Sequence, residues 1–256
     1  MKPPKPLACL VQINKNAGAS TAVLAARNYP PGSILNLTIQ GRRSVNSGAK
    51  VVGGPDEDVH LAVADACAQQ RRLACIAANL PYGLHAFLDR PVEYFAFLRA
   101  PVARCISYWH HAYRLRHDGR LWATLQSYDL DLDALLRSGL VYQFSNDQVR
   151  MISGSAASEP GEQEYLLARE NIEERFVFVG AVEHYRECVA MLARRLGWHD
   201  PRAPHVNRMS LTDVAPLPSN AARIFREANE WDDRLHRWLV NDYLKRASPS
   251  AAAPGA

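Results

Sequence analysis

A single lysine near the start of the chain stands in a run of small and polar residues that could bind an anion. The run is Asn14-Lys15-Asn16-Ala17-Gly18-Ala19-Ser20-Thr21. It follows the apolar residues 7–13 and precedes a predicted helix over residues 19–28. Backbone N–H groups at the start of a helix lack intrahelical acceptors and carry partial positive charge, so an anion gains hydrogen bonds and a favourable field there. Lys15 would add a full positive charge.

This loop differs from the P-loop of nucleoside triphosphatases. Lys15 precedes Gly18, and the order Gly-Lys-Ser/Thr is absent from the chain. Taken alone, the pattern has two interpretations, because Ser20 could also cap an ordinary strand-to-helix turn. A second anion-binding element is needed to favour the functional interpretation.

Such an element follows the apolar residues 92–98. Arg99 comes directly after this stretch, and Ser107 lies two turns into the helix predicted next. The apolar residues of that helix recur at helical spacing, at Val102, Cys105, Ile106, Trp109 and Tyr113. They leave Arg104, Ser107 and His111 on another face, and His110 and His111 are predicted to lie on the helix surface. Arg99 with its planar fork and Ser107 with its hydroxyl can bind one phosphate together.

The elements that must position these residues are strands alternating with helices, a pattern that indicates a mostly parallel sheet. The predicted strands are residues 7–13, 73–78, 92–98 and 175–180. The carboxyl ends of parallel strands meet at one edge of a sheet, where ligands bind. We therefore expect Lys15 and Arg99 to lie at the same edge.

Periodicity and helix-end residues predict the remaining helices. They span residues 58–72, 132–137, 142–152, 162–174 and 183–196, and a long helix begins at Ser219. The apolar stripe of that last helix predicts core packing and consists of Ile224, Ala228, Trp231, Leu235 and Trp238. Residues 36–58 are predicted to form a long polar loop, or a loop with one weak strand, that covers a site or forms a surface insertion.

Length and composition favour one domain. A chain of 256 residues with 48% hydrophobic content can bury a full core. We expect a single domain over residues 1–247 and a disordered tail over residues 248–256, which are low in complexity. The formal charge of +4 has no long basic block. That charge is too mild to argue for a nucleic-acid partner, and we expect none, but it suits an anionic ligand held by a few local cations.

The cysteines and the N-terminus predict the compartment. The five cysteines are odd in number and widely spaced, so we expect reduced core residues and no metal site of the C-x-x-C type. Residues 1–6 are basic, but no convincing signal peptide follows them. No stretch approaches the length of a membrane helix. We expect a soluble, cytoplasmic protein without a membrane span.

Four blocks of the chain resemble motifs of sulfotransferases that use 3′-phosphoadenosine 5′-phosphosulfate (PAPS). Residues 14–20 are similar to the family's Pro-Lys-Thr-Ala-Gly-Thr-Ser loop. The pattern Phe97-Leu98-Arg99-x-Pro101-x-x-Arg104-x-x-Ser107-Tyr108 resembles the family's 3′-phosphate motif. Residues 146–154 resemble a helix of bacterial members, and residues 176–183 a strand ending in Val-Gly-x-Thr-Glu. The likeness is to the carbohydrate group that includes heparan sulfate 2-O-sulfotransferase.

This resemblance implies an α/β fold, a P-loop-like three-layer sandwich with a central parallel sheet of four or five strands and helices on both faces. It implies PAPS as co-substrate without a metal, and transfer of a sulfuryl group to a hydroxyl of a carbohydrate or small-molecule acceptor. The residues implied to bind the 5′-phosphosulfate are Lys15, Asn16, Ala17, Gly18, Ala19, Ser20 and Thr21. Arg99 and Ser107 would bind the 3′-phosphate. Two such sites suit a nucleotide with phosphates at both ends of its ribose.

The resemblance also implies catalytic roles. Lys15 would neutralise the charge that develops on the leaving bridge oxygen. In the resembled family, the second strand leads into a Gly-His pair whose histidine is the expected base, but this chain has Asn79 there. Because an amide cannot usefully accept a proton, we assign the role to His85. Other candidates are His60, Asp56 and Glu57.

Two further alternatives remain open at this point. A phenol or amine acceptor would need little help from a base. Asn79 also motivates a non-catalytic relative that binds the nucleotide but has lost the family's base.

Overall fold

The apolar stretches of the sequence form the strands of one sheet. The computed structural model describes residues 5–40, 43–46, 50–51, 59–70, 72–117, 120–203 and 217–248. The strands are β1 Leu7–Val11, β2 Ile34–Gln40, β3 Arg43–Asn46, β4 Lys50–Val51, β5 Cys75–Ala78, β6 Val92–Leu98 and β7 Phe176–Ala181. All residues of β1 and β5 are buried, as expected for parallel strands covered on both faces.

Five parallel strands form the centre of the sheet, in the order β2, β5, β1, β6, β7. β3 and β4 extend it in antiparallel fashion beyond β2. The predicted central parallel sheet of four or five strands is confirmed. Val11 at the end of β1 pairs with Ala78 of β5 and Ala96 of β6. The loop that follows β1 therefore lies at the middle of the carboxyl edge, beside the end of β6.

Helices pack on both faces of the sheet. They are α1 Gly18–Asn28, α2 Val59–Ala68, α3 Pro101–Arg114, α4 Arg120–Gln126, α5 Leu132–Arg137, α6 Asp147–Ser153, α7 Glu162–Glu174, α8 Tyr185–Leu196, α9 Ala221–Glu227, α10 Glu230–Trp238 and α11 Leu244–Ala247. Phe97 of β6 faces α8 and its Tyr185 ring. On the opposite face Tyr94 contacts Tyr82, whose N–H donates to Met151 of α6.

The prediction of a polar loop, or of a loop with one weak strand, over residues 36–58 is wrong where the chain forms three strands, β2, β3 and β4. Leu35 and Leu37 of β2 are buried and Asn36 is exposed, so the strand alternates apolar and polar side chains. Its neighbour β5 supplies the parallel partner. The segment is rich in Gly, Ser and Asn, and this composition led to the prediction of a loop. The strand β2 is stabilised by pairing with a distant part of the chain.

The long helix predicted from Ser219 is broken in two. Asn229 stands between α9 and α10, and its side-chain amide donates to the carbonyls of Phe144 (2.6 Å) and Phe225 (2.8 Å). These bonds hold Asn229 outside helical geometry, with φ of −127°. The predicted core packing of the stripe is confirmed, since Leu235 and Trp238 are buried.

Arg104 lies in the core and not on the polar face of α3 where the sequence placed it. Its guanidinium is 3.5 Å from an Asp147 oxygen and 4.0 Å from an Asp232 oxygen, and it donates to the Gln143 carbonyl at 2.7 Å. Burial raises the pKa of Asp147 to about 6, against the opposing effect of Arg104. Two carboxylates from distant segments make the buried cation possible, and helical spacing carries no information about them.

Two other predictions can be compared with the fold directly. His110 is buried and so is not a helix-surface residue, because α3 is covered on more than its apolar stripe. The five cysteines are all free and buried, as predicted. Residues 249–256 of the predicted tail lie outside the described residues. None of the helices in the described ranges has the length and apolar character needed to cross a membrane.

Close packing at Gly180 gives a test of the contact between β6, β7 and α8. A Cβ there would lie 2.7 Å from Phe97 Cε1 and 2.8 Å from Cys188 Cβ. We expect Gly180→Ala to lower the free energy of unfolding by about 1–3 kcal/mol through overpacking. Gly161→Ala is the control, since its Cβ would meet only a Glu164 oxygen at 3.7 Å. Denaturant unfolding measures both, and equal stability of the two variants would contradict the packing.

Candidate functional site

The loop after β1 ends in a helix start that no side chain caps. Ala17 is the N-cap of α1, in a left-handed conformation with φ of 59°, and it makes no side-chain cap hydrogen bond. Lys15 is also left-handed, with φ of 67°. Ser20 lies inside the first turn, so the interpretation that it caps an ordinary turn is wrong. The helix end is thus positively polarised, has left-handed non-glycine residues before it and has no side-chain cap.

Two other residues predicted to bind the ligand, Thr21 and Gly18, make contacts within the protein. The Thr21 hydroxyl, fully buried, donates to the Ala17 carbonyl at 3.0 Å and lies 3.1 Å from the Tyr185 hydroxyl. A Cβ on Gly18 would come within 2.5 Å of the Gln12 side chain, which packs over it. Ala19 and Ser20 follow in the first turn of α1. The backbone of this turn, more than its side chains, is what the loop can offer a ligand.

Asn16 points into the protein. Its side-chain amide donates to the Phe97 carbonyl and to Gln148 Oε1, both at 2.8 Å. Its backbone N–H donates to the Ile13 carbonyl at 3.2 Å. Asn16 is therefore placed to hold the loop against the end of β6. Gln148, its partner on α6, was not singled out from the sequence as a site residue.

Arg99 joins the second predicted element to the first. Its Nη1 donates to the Lys15 carbonyl at 3.2 Å, and its backbone N–H donates to Gln148 Oε1 at 2.8 Å. The structure thus brings together the two cations that the sequence placed at strand ends. Parallel pairing of β1 with β6 makes their following loops neighbours, which is the reason that the expectation holds.

Glu183 fixes the start of α3 from the end of β7. Its Oε1 accepts the Ala100 N–H at 2.8 Å, and its Oε2 lies 3.0 Å from His236 Nε2. Burial alone would raise the pKa of Glu183, but the hydrogen bonds from His236 and from the Ala100 N–H outweigh it and lower the pKa to about 2. The Glu183 carboxylate therefore stays ionised and hydrogen-bonded beside Arg99.

One face of α3 completes the cationic surface. Ser107, His111 and Arg114 follow each other at spacings of four and three residues and so share this face. Burial first, then the charges of Arg114 and Arg99, lower the pKa of Lys15 to about 8. Burial, followed by Lys15 and Arg114, lowers the pKa of His111 to about 4. The face therefore lies within electrostatic reach of the Lys15 ammonium.

His111 and Arg114 were missed as site residues. The signal for them was available, because they continue the helical spacing that begins at Ser107. Their relation to Lys15 needed the fold, since it depends on where α3 runs relative to the loop. Across the described ranges, no cluster of three or more His, Cys, Asp and Glu side chains is arranged to hold a metal ion.

The structure does not bring His85 to Lys15. The His85 N–H donates to the Tyr94 hydroxyl at 2.7 Å, and its Nδ1 lies 3.1 Å from the same oxygen. Burial lowers the pKa of His85, as do Arg175 and His60. Tyr94 precedes Arg99 by five strand residues, or about 16 Å along the strand. Arg175 likewise precedes β7, at the amino edge of the sheet.

The other candidates for a base are placed differently. His60, near the start of α2, has its Nε2 3.1 Å from the Pro81 carbonyl, and its ring stacks on Phe87. Asn79 directly follows β5 and so lies at the carboxyl edge. Asp56 and Glu57 lie outside the described residues.

Fold and site together define an α/β protein with a cationic site at the carboxyl edge of a parallel sheet. No family model and no curated protein sequence matches the chain. Among solved structures it is similar to mouse sulfotransferase SULT7A1 complexed with PAP. The two are 14% identical, with a TM-score of 0.43, over 97% of this chain and 88% of the mouse protein.

The electrostatics of the loop can be tested by amine labelling. We expect the rate of Lys15 acetylation to rise with pH around a midpoint of about 8, since only the neutral amine reacts. Removing a nearby cation favours the ammonium, so Arg114→Ala should move the midpoint upward. Arg116→Ala is the matched control, because that guanidinium stacks on Tyr113. Mass spectrometry of the labelled peptide measures the rate, and equal midpoints in both variants would contradict the placement of Arg114.

Proposed function

We propose that this protein is a PAPS-dependent sulfotransferase that transfers a sulfuryl group to a hydroxyl of a carbohydrate or small-molecule acceptor. The observation that carries the proposal is the joined pair of cationic loops. Arg99, at the end of β6, bonds to the Lys15 carbonyl at 3.2 Å, beside the uncapped start of α1. A nucleotide with phosphates at both ends of its ribose needs two neighbouring anion sites of this kind.

In this proposal each loop takes one end of the nucleotide. Lys15, the N–H of the N-cap residue Ala17 and the first N–H groups of α1, from Gly18 to Ser20, bind the 5′-phosphosulfate. Arg99 and the half-buried Ser107 bind the 3′-phosphate. Asn16 and Thr21, which the resemblance assigned to binding, act by holding the loop in shape. The positive charge of Arg114 adds a longer-range electrostatic attraction for both phosphate-bearing ends of the nucleotide.

Lys15 is the proposed electrophile. The acceptor oxygen forms a bond to sulfur while the bond from sulfur to the bridge oxygen breaks, and the electron pair of that bond stays on the leaving 5′-phosphate. With a pKa of about 8, the Lys15 side chain is mainly charged at pH 7, and a bound polyanion would keep it so. Its charge counts most when the leaving group has developed full charge.

The base that takes the acceptor proton is assigned to a histidine. His85 is the residue predicted from the sequence, and His111 is the imidazole that shares a helix face with Ser107. A pKa of about 4 keeps the His111 imidazole neutral at pH 7, and the negative charge of bound PAPS would raise that pKa towards a more effective value. We propose His111 for this role.

Two measurements test the proposed activity. Calorimetry with adenosine 3′,5′-bisphosphate (PAP) should detect binding, and a panel of hydroxyl acceptors incubated with PAPS should yield a product heavier by one sulfuryl group. Failure to bind PAP would overturn the proposal. PAP binding without transfer to any acceptor would support the alternative suggested by Asn79, a nucleotide-binding relative without catalytic activity.

Replacing the two cations should damage different steps. We expect Lys15→Ala to lower kcat by about 10²-fold or more with a smaller effect on PAP affinity. Arg99→Ala should weaken PAP binding by about 10- to 100-fold, the worth of a charge-assisted hydrogen bond, with little change in kcat at saturation. Arg116→Ala controls for general loss of positive charge. Equal effects of the two site variants on both parameters would contradict their separate roles.

The two histidines can be tested against each other. Loss of a general base lowers kcat by about 10²- to 10⁴-fold. We expect this loss for His111→Ala, with PAP affinity nearly unchanged, and less than about a tenfold loss for His85→Ala. Steady-state kinetics with a fixed acceptor measures both variants. The reverse order would assign the proton transfer to His85.

A further inference from the structure

Gln148 is a fully buried amide that hydrogen-bonds both backbone polar groups of Arg99, the residue that follows β6. Its Oε1 accepts the Arg99 N–H at 2.8 Å, and its Nε2 donates to the Arg99 carbonyl at 2.9 Å. The paired bonds fix which side of the amide is oxygen and which is nitrogen, because reversing it would set donor against donor. The Gln148 amide therefore binds the backbone of Arg99 in a single orientation.

The same oxygen also holds the loop of Lys15. Gln148 Oε1 accepts a second bond, from Asn16 Nδ2 at 2.8 Å, across 132 residues of chain. Asn16 Nδ2 donates its other hydrogen to the Phe97 carbonyl at 2.8 Å. Because both partners of Asn16 are acceptors, its amide is fixed as well. One side chain thus joins the loop after β1 to the end of β6.

Gln148 is itself rigidly placed. Its backbone N–H donates to Asp232 at 3.1 Å, and the N–H of Val149 donates to the other Asp232 oxygen at 2.8 Å. Asp232 faces the buried Arg104 guanidinium at 4.0 Å. The Gln148 residue is therefore anchored by buried hydrogen bonds and charges, and its position does not depend on either loop.

We propose that Gln148 is a positioning residue that sets the spacing between the two phosphate sites. The inference rests on the proposed function, in which Lys15 and Arg99 hold opposite ends of one nucleotide. A ligand with both phosphates gains affinity only if both sites are already at the right separation, because correcting that separation costs binding free energy. A ligand with one phosphate binds at one site only, so its affinity depends little on the position of the other site.

The test compares the binding of three nucleotides to the 256-residue chain. Gln148→Met keeps side-chain volume and removes all three side-chain hydrogen bonds. We expect its affinity for PAP to fall about 30-fold and its affinities for 5′-AMP and 3′-AMP to fall less than about threefold each. Gln163→Met, on the exposed side of α7, is the matched control and should leave all three affinities unchanged. Calorimetry measures the affinities, and thermal unfolding checks the fold.

A second variant breaks the same link from the loop side. Asn16→Ala should reproduce the selective loss of PAP affinity, and combining it with Gln148→Met should add little, since both remove one connection. If Gln148→Met does not fold, Asn16→Ala alone still tests the inference. Equal losses for all three nucleotides, no loss, or additive effects in the double variant would overturn the inference. Failure of the unmodified protein to bind PAP would instead overturn the proposed function, and the inference with it.

Discussion

The hydrogen bond from Arg99 to the Lys15 carbonyl is the interaction on which the rest of this site depends, because it holds two cationic residues of adjacent loops together. Burial, then the charge of Arg114 and last that of Arg99, lower the pKa of Lys15 to about 8. Neutral groups hold Lys15 and Arg99 together, since the Lys15 carbonyl accepts from Arg99 and the amide of Gln148 bonds to Arg99 and Asn16. A carboxylate, Glu183, does lie beside Arg99, but it is already hydrogen-bonded to the Ala100 N–H and to His236. Under the proposed function, the anionic ligand would supply the further negative charge between the two cations.

The neutral amides depend in turn on a buried charge network. Arg104, Asp147 and Asp232 link α3, α6 and α10, and all three side chains are buried. Removing one member of such a group leaves an uncompensated buried charge, at a cost of about 3–5 kcal/mol. The network also fixes the helix that carries Gln148. Stability and function are therefore coupled at the start of α6, where a change meant to test the charges would also displace the amide.

This arrangement has consequences for chemistry at the edge of the sheet. The backbone of the first turn of α1 is left without a side-chain cap, which costs stability and leaves N–H groups for a ligand. Lys15 contributes to the lowered pKa of His111 on α3, so the imidazole lies within electrostatic reach of the ammonium. Both pKa values are lowered, and in each case burial is the largest cause and neighbouring positive charge adds to it. Asn79 at the neighbouring strand end is the feature that sets this site apart from the resembled motif.

The amino-acid sequence by itself determined the features that depend on local pattern. Apolar runs located β1, β5, β6 and β7, and the rule that parallel strands end at one edge placed Lys15 next to Arg99. The sequence did not locate β2, the burial of Arg104 or the distance of His85 from Lys15. Each of these depends on a partner far away in the chain, as Gln148 does on Asn16 across 132 residues. Periodicity reports which side of an element is apolar, whereas the identity of the group it meets is decided only when the chain folds.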